Sequence, residues 1–380
     1  MKSVSAEKVT YRYQGAPSAA IESVDFYAGS GRKTVLLGEN GCGKSTLIYH
    51  LNGVYKPESG TVYYDGNPIS YDRDFLTELR SEVSVVLQNP DDQIFSSTVE
   101  EDVAFGPLNA GFSREEVSER ISWALEKVGM EEYAETQVQR LSYGQRKRVS
   151  IAGALALRPK VLILDEPTAG LDPQISKEIM ELADRSASGG VNVIVSSHDI
   201  NLTYSWADDL SVMRSGRIVF SGDPSDFFGN SREVYLSGLV SPSVFSINYN
   251  VETMRGRNPD PYPKTITQTV GKMFPSGESK GTIHIYCPDG GKIDQDALEC
   301  AAGRKEITAA VYGPFARKAV SESKMRIDYY YNGIEGCITE ALANRDSLLI
   351  CDKELKKSVL DAVDAMETFG TAIRTKEIVL

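Results

Sequence analysis

Residues 38–46 read GENGCGKST, a stretch that sets a lysine and two hydroxyl side chains directly behind three glycines. The spacing is G-x-x-x-x-G-K-[ST]. An apolar run, TVLLG, precedes it, and a helix-like run, STLIYHLNG, follows and is closed by Gly53. A strand before and a helix after give this pattern its chemistry. Gly38, Gly41 and Gly43 let the backbone curl, so that N–H groups at a helix start face phosphate oxygens. Lys44 then neutralises the β- and γ-phosphates, Ser45 holds Mg²⁺ and Thr46 faces the α-phosphate, with Asn40 inside the same loop. A Gly-rich turn that binds nothing would not need these flanks.

A second stretch supplies what a phosphate site needs for hydrolysis. In VLILDEPTAGLDP (161–173), four apolar residues end in Asp165 and Glu166. Parallel sheets bind ligands at the carboxyl ends of their strands. Asp165 is expected to reach Mg²⁺ through water, and Glu166 to orient or deprotonate the attacking water. Two carboxylates capping a helix in solvent would be the bland alternative, and Pro167 directly after them argues against it. His198 in SSHD (196–199) and Gln88 after VSVVL (83–87) also end apolar runs. His198 is placed for the γ-phosphate and Gln88 for Mg²⁺ and water.

LSYGQRKRVSIAGALAL (141–157) opens a long helix on small and basic residues. Free N–H groups and a positive helix end make this a second anion site, about a hundred residues from the first in sequence. Ser142 capping the helix for itself would not explain the run of small and basic residues that follows.

These residues need elements to hold them. KVTYRY and AIESVDFYA alternate as strands do, GTVYYDG reads as an edge strand, and KVLILDE and VNVIVSS are continuous apolar strands. The spacing predicts helical character across 113–157, beginning at an N-cap Ser113, with Gly129 closing the segment SREEVSERISWALEKVG. ISKEIMELADRSA is a further helix, and DLSVMRSGRIVFSGD is a hairpin turning at Ser215-Gly216. Alternating strands and helices imply a mainly parallel sheet covered by helices, with an antiparallel edge.

Residues 1–230 hold every motif, and 231–264, rich in Asn, Ser, Pro and Gly, read as a linker with one short helix. Residues 265–380 form a small α/β domain of alternating units, with strands expected at GTIHIYC, ITAAVYG, RIDYYY, SLLICD and TAIRTKEIVL. Its PDGG (288–291) reads as a plain turn rather than a ligand loop. A regulatory or dimer-stabilising role is expected of this domain.

At 380 residues the chain can bury a full core. A net charge of −12 argues against a partner held by nucleic-acid phosphates. No run approaches the roughly 18 apolar residues that span a bilayer, so the chain is expected to be cytosolic unless a partner carries it to a membrane. Its five cysteines, Cys42, Cys287, Cys300, Cys337 and Cys351, show no CxxC pair. They are expected to be reduced thiols, mostly core. Cys287 and Cys351 near strand ends could bind a soft metal, but scattered core thiols are the better reading.

The ordered set of P-loop, Gln88, LSYGQ, LDEPTAGLD and His198 resembles the ATPase subunit of ABC transporters over about residues 3–230. The resemblance implies an α/β fold of the ABC type: a mixed sheet core, a helical signature subdomain and an antiparallel β edge. It implies ATP and Mg²⁺ as ligands and a head-to-tail pair of subunits, homo- or heterodimeric. Ser142, Gly144 and Gln145 of one would close over ATP in the P-loop of the other. It also implies an aromatic on the adenine, Tyr13 before Tyr11, and Asp172 at the dimer seam.

QNPDDQIFSSTVEEDVAFGPLNAG (88–111) is similar to the energy-coupling-factor type of importer, most closely its cobalt and nickel ATPase. This implies docking of an integral membrane component near Asp91, Asp92 and Phe95, and a peripheral place on the cytoplasmic face of the membrane. Ile94, Val99, Val103 and Phe105 interleave with the acids, which a merely solvated loop would not require. Two departures stand out: Cys42 replaces the commoner Ser in the P-loop, and residues 265–380 lie beyond the resemblance. A soluble ABC-type ATPase acting on DNA or ribosomes is the competing reading. It is disfavoured by the single cassette, the absence of a coiled-coil insertion between 43 and 141, and the acidic charge.

Overall fold

The computed structural model describes residues 3–29, 31–288, 293–303, 307–323 and 325–379. Residues 289–291 of the expected PDGG turn lie outside this set. The chain divides into two units. The first comprises Met1–Ile179 and Gly189–Pro242, the second Met180–Ser188 and Ser243–Leu380.

The first unit begins with β1 (Val4–Tyr11), β2 (Ile21–Ala28), β3 (Lys33–Leu37), α1 (Lys44–Leu51), β4 (Ser59–Tyr64) and β5 (Asn67–Pro68). It continues with α2 (Arg73–Glu82), β6 (Val83–Val86), α3 (Val99–Asn109), α4 (Arg114–Val128), α5 (Tyr143–Ala156) and β7 (Val161–Asp165). Then come α6 (Pro173–Ser188), β8 (Asn192–Ser197), α7 (Ile200–Trp206), the hairpin β9 (Asp209–Arg214) and β10 (Arg217–Gly222), α8 (Pro224–Gly229) and α9 (Ser231–Leu236).

Two sheets form the core of this unit. One is antiparallel, in the order β2-β1-β4-β5, and the other runs β10-β9-β3-β8-β7-β6. In the second, β9, β3, β8, β7 and β6 are parallel and only β10 is antiparallel. Every residue of β7 and β8 is buried, because helices cover both faces of a parallel sheet. Full burial of Val161, Leu162, Ile163 and Leu164 contributes on the order of 1.5–3 kcal/mol each. In β2 burial instead follows the half-buried pattern of an antiparallel strand. The β9–β10 hairpin turns at Ser215 and Gly216, both with positive φ, as a two-residue turn matched to strand twist requires.

Helices α3 and α4 pack on α5. Capping boxes start all three: Thr98 with Glu101, Ser113 with Glu116, and Ser142 with Gln145. The helical character expected across 113–157 is interrupted. Gly129, at φ 66°, ends α4 in the left-handed conformation, and single 3₁₀ turns fill the way to α5.

The second unit holds α10 (Ser243–Met254), α11 (Ile266–Met273), β11 (Gly277–Tyr286), α12 (Gln295–Ala302), β12 (Thr308–Tyr312) and α13 (Pro314–Ser323). It ends with α14 (Gly333–Leu342), β13 (Ser347–Cys351), α15 (Lys356–Thr368) and β14 (Thr371–Ile378). Its sheet is wholly parallel, in the order β12-β13-β11-β14. Two expectations are corrected. The stretch 231–264 carries helices α9 and α10, and the second unit takes it up from Ser243 rather than 265. RIDYYY (326–331) is not a strand. The Asp328 carboxylate accepts the Ala309 N–H at 3.0 Å, replacing a ladder bond, and only Tyr329 bridges to Ala310.

Residues 180–188, the last half of α6, belong to the second unit and form charged pairs within it. Arg317 donates to Glu181 at 2.5 Å with both side chains buried, and Tyr312 donates to Asp184 at 3.1 Å. Arg185 pairs with Asp352 at 3.7 Å and with Glu354.

Candidate functional site

The order β3-β8-β7-β6 brings four loops to one sheet edge. Leu37, which precedes the P-loop, pairs with Ser197, which precedes His198. Ser196 pairs with Asp165, and Leu164 with Val86, two residues before Gln88. The register alone therefore gathers the P-loop, His198, the Asp165-Glu166 pair and the Gln88 loop.

Gly38 and Gly43 of the P-loop are there for space. A Cβ on Gly38 would lie 2.4 Å from the Met213 carbonyl oxygen and 2.7 Å from Cys42 Sγ. Gly43, at φ 109°, would meet the Ala20 carbonyl oxygen at 2.8 Å. Gly43 is also the N-cap of α1, and it offers no side-chain acceptor, so no side chain caps the helix start. That open helix start suits a phosphate. Cys42 is buried in the core beneath the loop, where burial raises its thiol pKa, and it does not face the ligand side. Asn40 and Gly41 are exposed and Ser45 is half-buried.

Lys44 is buried, and its ammonium donates to the carbonyls of Gly38 at 2.7 Å and Glu39 at 3.1 Å. Its third neighbour is Glu166, whose Oε1 lies 3.2 Å away without hydrogen-bond alignment. The other carboxylate oxygen, Oε2, is 2.6 Å from His198 Nδ1. Glu166 takes φ 44°, uncommon for a residue with a Cβ, and its N–H donates to Ser196 Oγ at 2.9 Å. The Ser196 hydroxyl in turn donates to the buried Asp165 carboxylate. Lys44, Glu166 and His198 thus form one continuous polar chain, with Asp165 anchored beside it. A buried cation, an uncapped helix start and a carboxylate oxygen lacking a hydrogen bond fit a metal-bound triphosphate.

Tyr13 hydrogen-bonds Thr46 Oγ1 at 2.9 Å and is partly exposed. Tyr11 instead stacks on Tyr55, with ring centroids 5.0 Å apart. Only Tyr13 of the two is bonded to the phosphate-loop helix.

Gln88 is exposed, but its backbone is held from below by Lys147, a site-building residue absent from the sequence expectations. Lys147 is fully buried on α5 and donates to the carbonyls of Leu87 at 2.7 Å and Gln88 at 2.9 Å. Desolvation brings its pKa down to about 8, against the attraction of Asp165 and Glu166. A signal did exist: Gly144, Lys147, Ile151 and Ala154 fall on one buried stripe of the helix, where a lysine has no place without partners.

Asp91 is engaged within the chain. Arg146 on α5 pairs with it at 2.7 Å, and both Asp91 and Asp92 are exposed. Phe95 and Phe105 stand 64% and 48% exposed with their rings packed edge to face at 4.5 Å, an apolar patch beside these acids. Ser142 and Gln145 spend their side chains on capping α5. Gly144 lies under Ile175, where a Cβ would meet a methyl carbon at 2.7 Å. Asp172 caps α6 by accepting from Gln174 and Ile175. Among the described residues, no hydrogen bond or ion pair joins Ser142, Gly144 or Gln145 to residues 38–46 of the same chain.

A P-loop, a strand-end carboxylate pair and a signature helix on this sheet define an ATP-binding cassette, and residues 21–169 match the ABC transporter family. The energy-coupling factor transporter ATP-binding protein EcfA2 of Methanospirillum hungatei is 36% identical over 369 residues, 95% of this chain and 92% of that protein. CbiO1 from Clostridium perfringens, described as part of the ABC transporter complex cbiONQ, is 38% identical. Its structure covers 66% of this chain and 98% of its own, with a TM-score of 0.55. The cassette MJ0796, solved as a dimer bound to ADP and Pi, is 28% identical with a TM-score of 0.53, over 58% of this chain and 98% of its own. The chain belongs to the energy-coupling factor transporter ATP-binding proteins, and it is an ATPase. The alignment with the M. hungatei relative extends over nearly the whole chain, beyond the 3–230 that the motifs cover. No helix among the described residues is long and apolar enough to cross a membrane.

Proposed function

We propose that this chain hydrolyses ATP to power an importer of the energy-coupling-factor type, as a peripheral subunit on the cytoplasmic face of the membrane. The observation that carries the reading is the Lys44–Glu166–His198 chain at the edge where four strand-end loops meet.

In this reading the triphosphate takes the Lys44 ammonium from the Gly38 and Glu39 carbonyls and from Glu166. The N–H groups of 41–46 cradle its oxygens. Tyr13 lies against the adenine. Glu166, released from Lys44 but still bonded to His198, orients the attacking water and accepts its proton, and His198 contacts the γ-phosphate. Mg²⁺, with Ser45, Gln88 and Asp165 as its ligand set, supplies Lewis-acid neutralisation of phosphate charge.

Ser142, Gly144 and Gln145 complete the site of a second copy or a close relative, head to tail. Two observations support this: their lack of a link to the P-loop of their own chain, and the likeness to the dimeric MJ0796. Membrane components dock on Phe95 and Phe105, beside Asp91 and Asp92. The resemblance of residues 88–111 to the cobalt and nickel ATPase supports cobalt, nickel or a related micronutrient as cargo.

The test is co-purification of the full chain with integral membrane proteins, followed by ATP-dependent ⁵⁷Co²⁺ or ⁶³Ni²⁺ uptake into vesicles. Phe95→Ser with Phe105→Ser should abolish assembly and spare the hydrolysis of the isolated subunit. Robust assembly by that variant overturns the docking surface. Uptake of neither metal by an assembled, ATP-hydrolysing complex overturns cobalt and nickel as cargo.

A further inference from the structure

Two cysteines far apart in sequence meet in the second unit. Cys287 directly follows β11 and Cys351 ends β13. These strands are parallel neighbours, with Tyr286 opposite Ile350, so the two cysteines are in register. Their sulfurs are 3.6 Å apart. Adjacent strands lie about 4.8 Å apart, inside the Cα separation that a disulfide spans.

Both thiols lie at the carboxyl ends of neighbouring parallel strands, the end of such a sheet at which ligands bind.

The two sulfurs are not alike. Cys287 is half-buried. The hydrogen bond between the two sulfurs, and after it the positive charge of Lys356, hold its thiol below the ordinary range despite burial. Cys351 is fully buried, and the same hydrogen bond, together with burial, raises it. Cys337, buried without a thiol partner, is pushed up to about 12. A reachable thiolate beside a buried partner is the arrangement that exchange chemistry uses. Among the described residues, no set of three His, Cys, Asp or Glu is placed to hold a metal ion, so a four-coordinate zinc site is not built here.

We propose that Cys287 and Cys351 form a thiol–disulfide exchange site, with Cys287 attacking, Cys351 resolving, and a small aliphatic disulfide as the co-substrate. The Cys287 thiolate attacks one sulfur of RSSR, forming a Cys287–SR bond and expelling RS⁻. Cys351 gives its proton to the expelled thiolate and attacks Cys287 Sγ, forming the Cys287–Cys351 bond and expelling a second RS⁻, which takes a proton from water. Two protein thiols are oxidised and one RSSR is reduced to two RSH.

The experiment uses the reduced full chain, glutathione disulfide as probe, a maleimide quench and peptide mass mapping. The expected product is a linked Cys287–Cys351 peptide pair, formed severalfold faster than modification of the exposed Cys300 and reversed by excess glutathione. Cys351→Ser should stop at glutathionylated Cys287, and Cys287→Ser should leave Cys351 unreacted. A wild-type chain that accumulates glutathionylated Cys287 with Cys351 still open to alkylation after unfolding overturns the proposal. So does a chain in which Cys300 reacts first and the pair not at all.

Discussion

The ammonium of Lys147 donates to the carbonyl oxygen of Gln88 at 2.9 Å, across 59 residues of sequence. With its second bond, to Leu87, it ties the loop carrying Gln88 to the helix that begins at Ser142. The loop after β6 and the helix α5 are therefore joined by one buried charge.

Lys147→Met should remove that tie and leave two carbonyls without their donor, at a cost of about 1–3 kcal/mol. Hydrolysis should fall while ATP affinity, set at the P-loop, stays near wild type. The pH dependence has a definite sign. The unfolded lysine keeps its proton to about 10.5 and the folded one only to about 8, so the unfolded state binds more protons between those values. The stability of wild type relative to Lys147→Met should rise with pH across that window. Urea unfolding on either side of pH 8 reads it, and a flat difference would show that the ammonium is not desolvated.

Glu166→Gln keeps the shape of the side chain but loses its charge toward Lys44 and its basicity toward water. Turnover should drop by roughly 10²-fold or more, with ATP binding retained and a nucleotide-bound dimer accumulating. Single-turnover hydrolysis, followed with labelled ATP, measures this. A normal rate would remove Glu166 from the chemistry.

If Ser142 and Gly144 serve the partner's nucleotide, a mixed dimer of Ser142→Arg and Lys44→Ala chains keeps one intact site. Homodimers of either variant keep none. Mixing the two inactive proteins should therefore restore part of the ATPase activity, and a steady-state assay over mixing ratios decides it. No recovery at any ratio would mean that the sites do not form between chains or do not work singly.

Arg317 and Glu181 are buried together, 2.5 Å apart, in the second unit. Arg317→Met leaves the Glu181 carboxylate without its cation and should cost about 3–5 kcal/mol. The double variant Arg317→Met with Glu181→Met should recover much of that loss. Thermal unfolding of the full chain reports both, and equal losses in the single and double variants would count against a buried pair.

Much of the ATP site was legible because its signals are local. Glycines, a lysine and two hydroxyls within nine residues specify a loop that needs no distant partner to be recognised, and LILDE states both its burial and its charged end. The capping boxes at Ser113 and Ser142 likewise lie within four residues.

What required the tertiary structure is whatever depends on register between distant strands or helices. Lys147 reads as one of three consecutive basic residues until α5 is laid against the loop after β6. Asp91 reads as a free acid until Arg146 reaches it. The tyrosine-rich run 326–331 has strand composition, but the Asp328 side chain takes the ladder bond that pairing would need. Cys287 and Cys351 were two scattered thiols in the sequence. Parallel pairing of β11 with β13 alone places them side by side, because a shift of one residue would turn one of them to the opposite face.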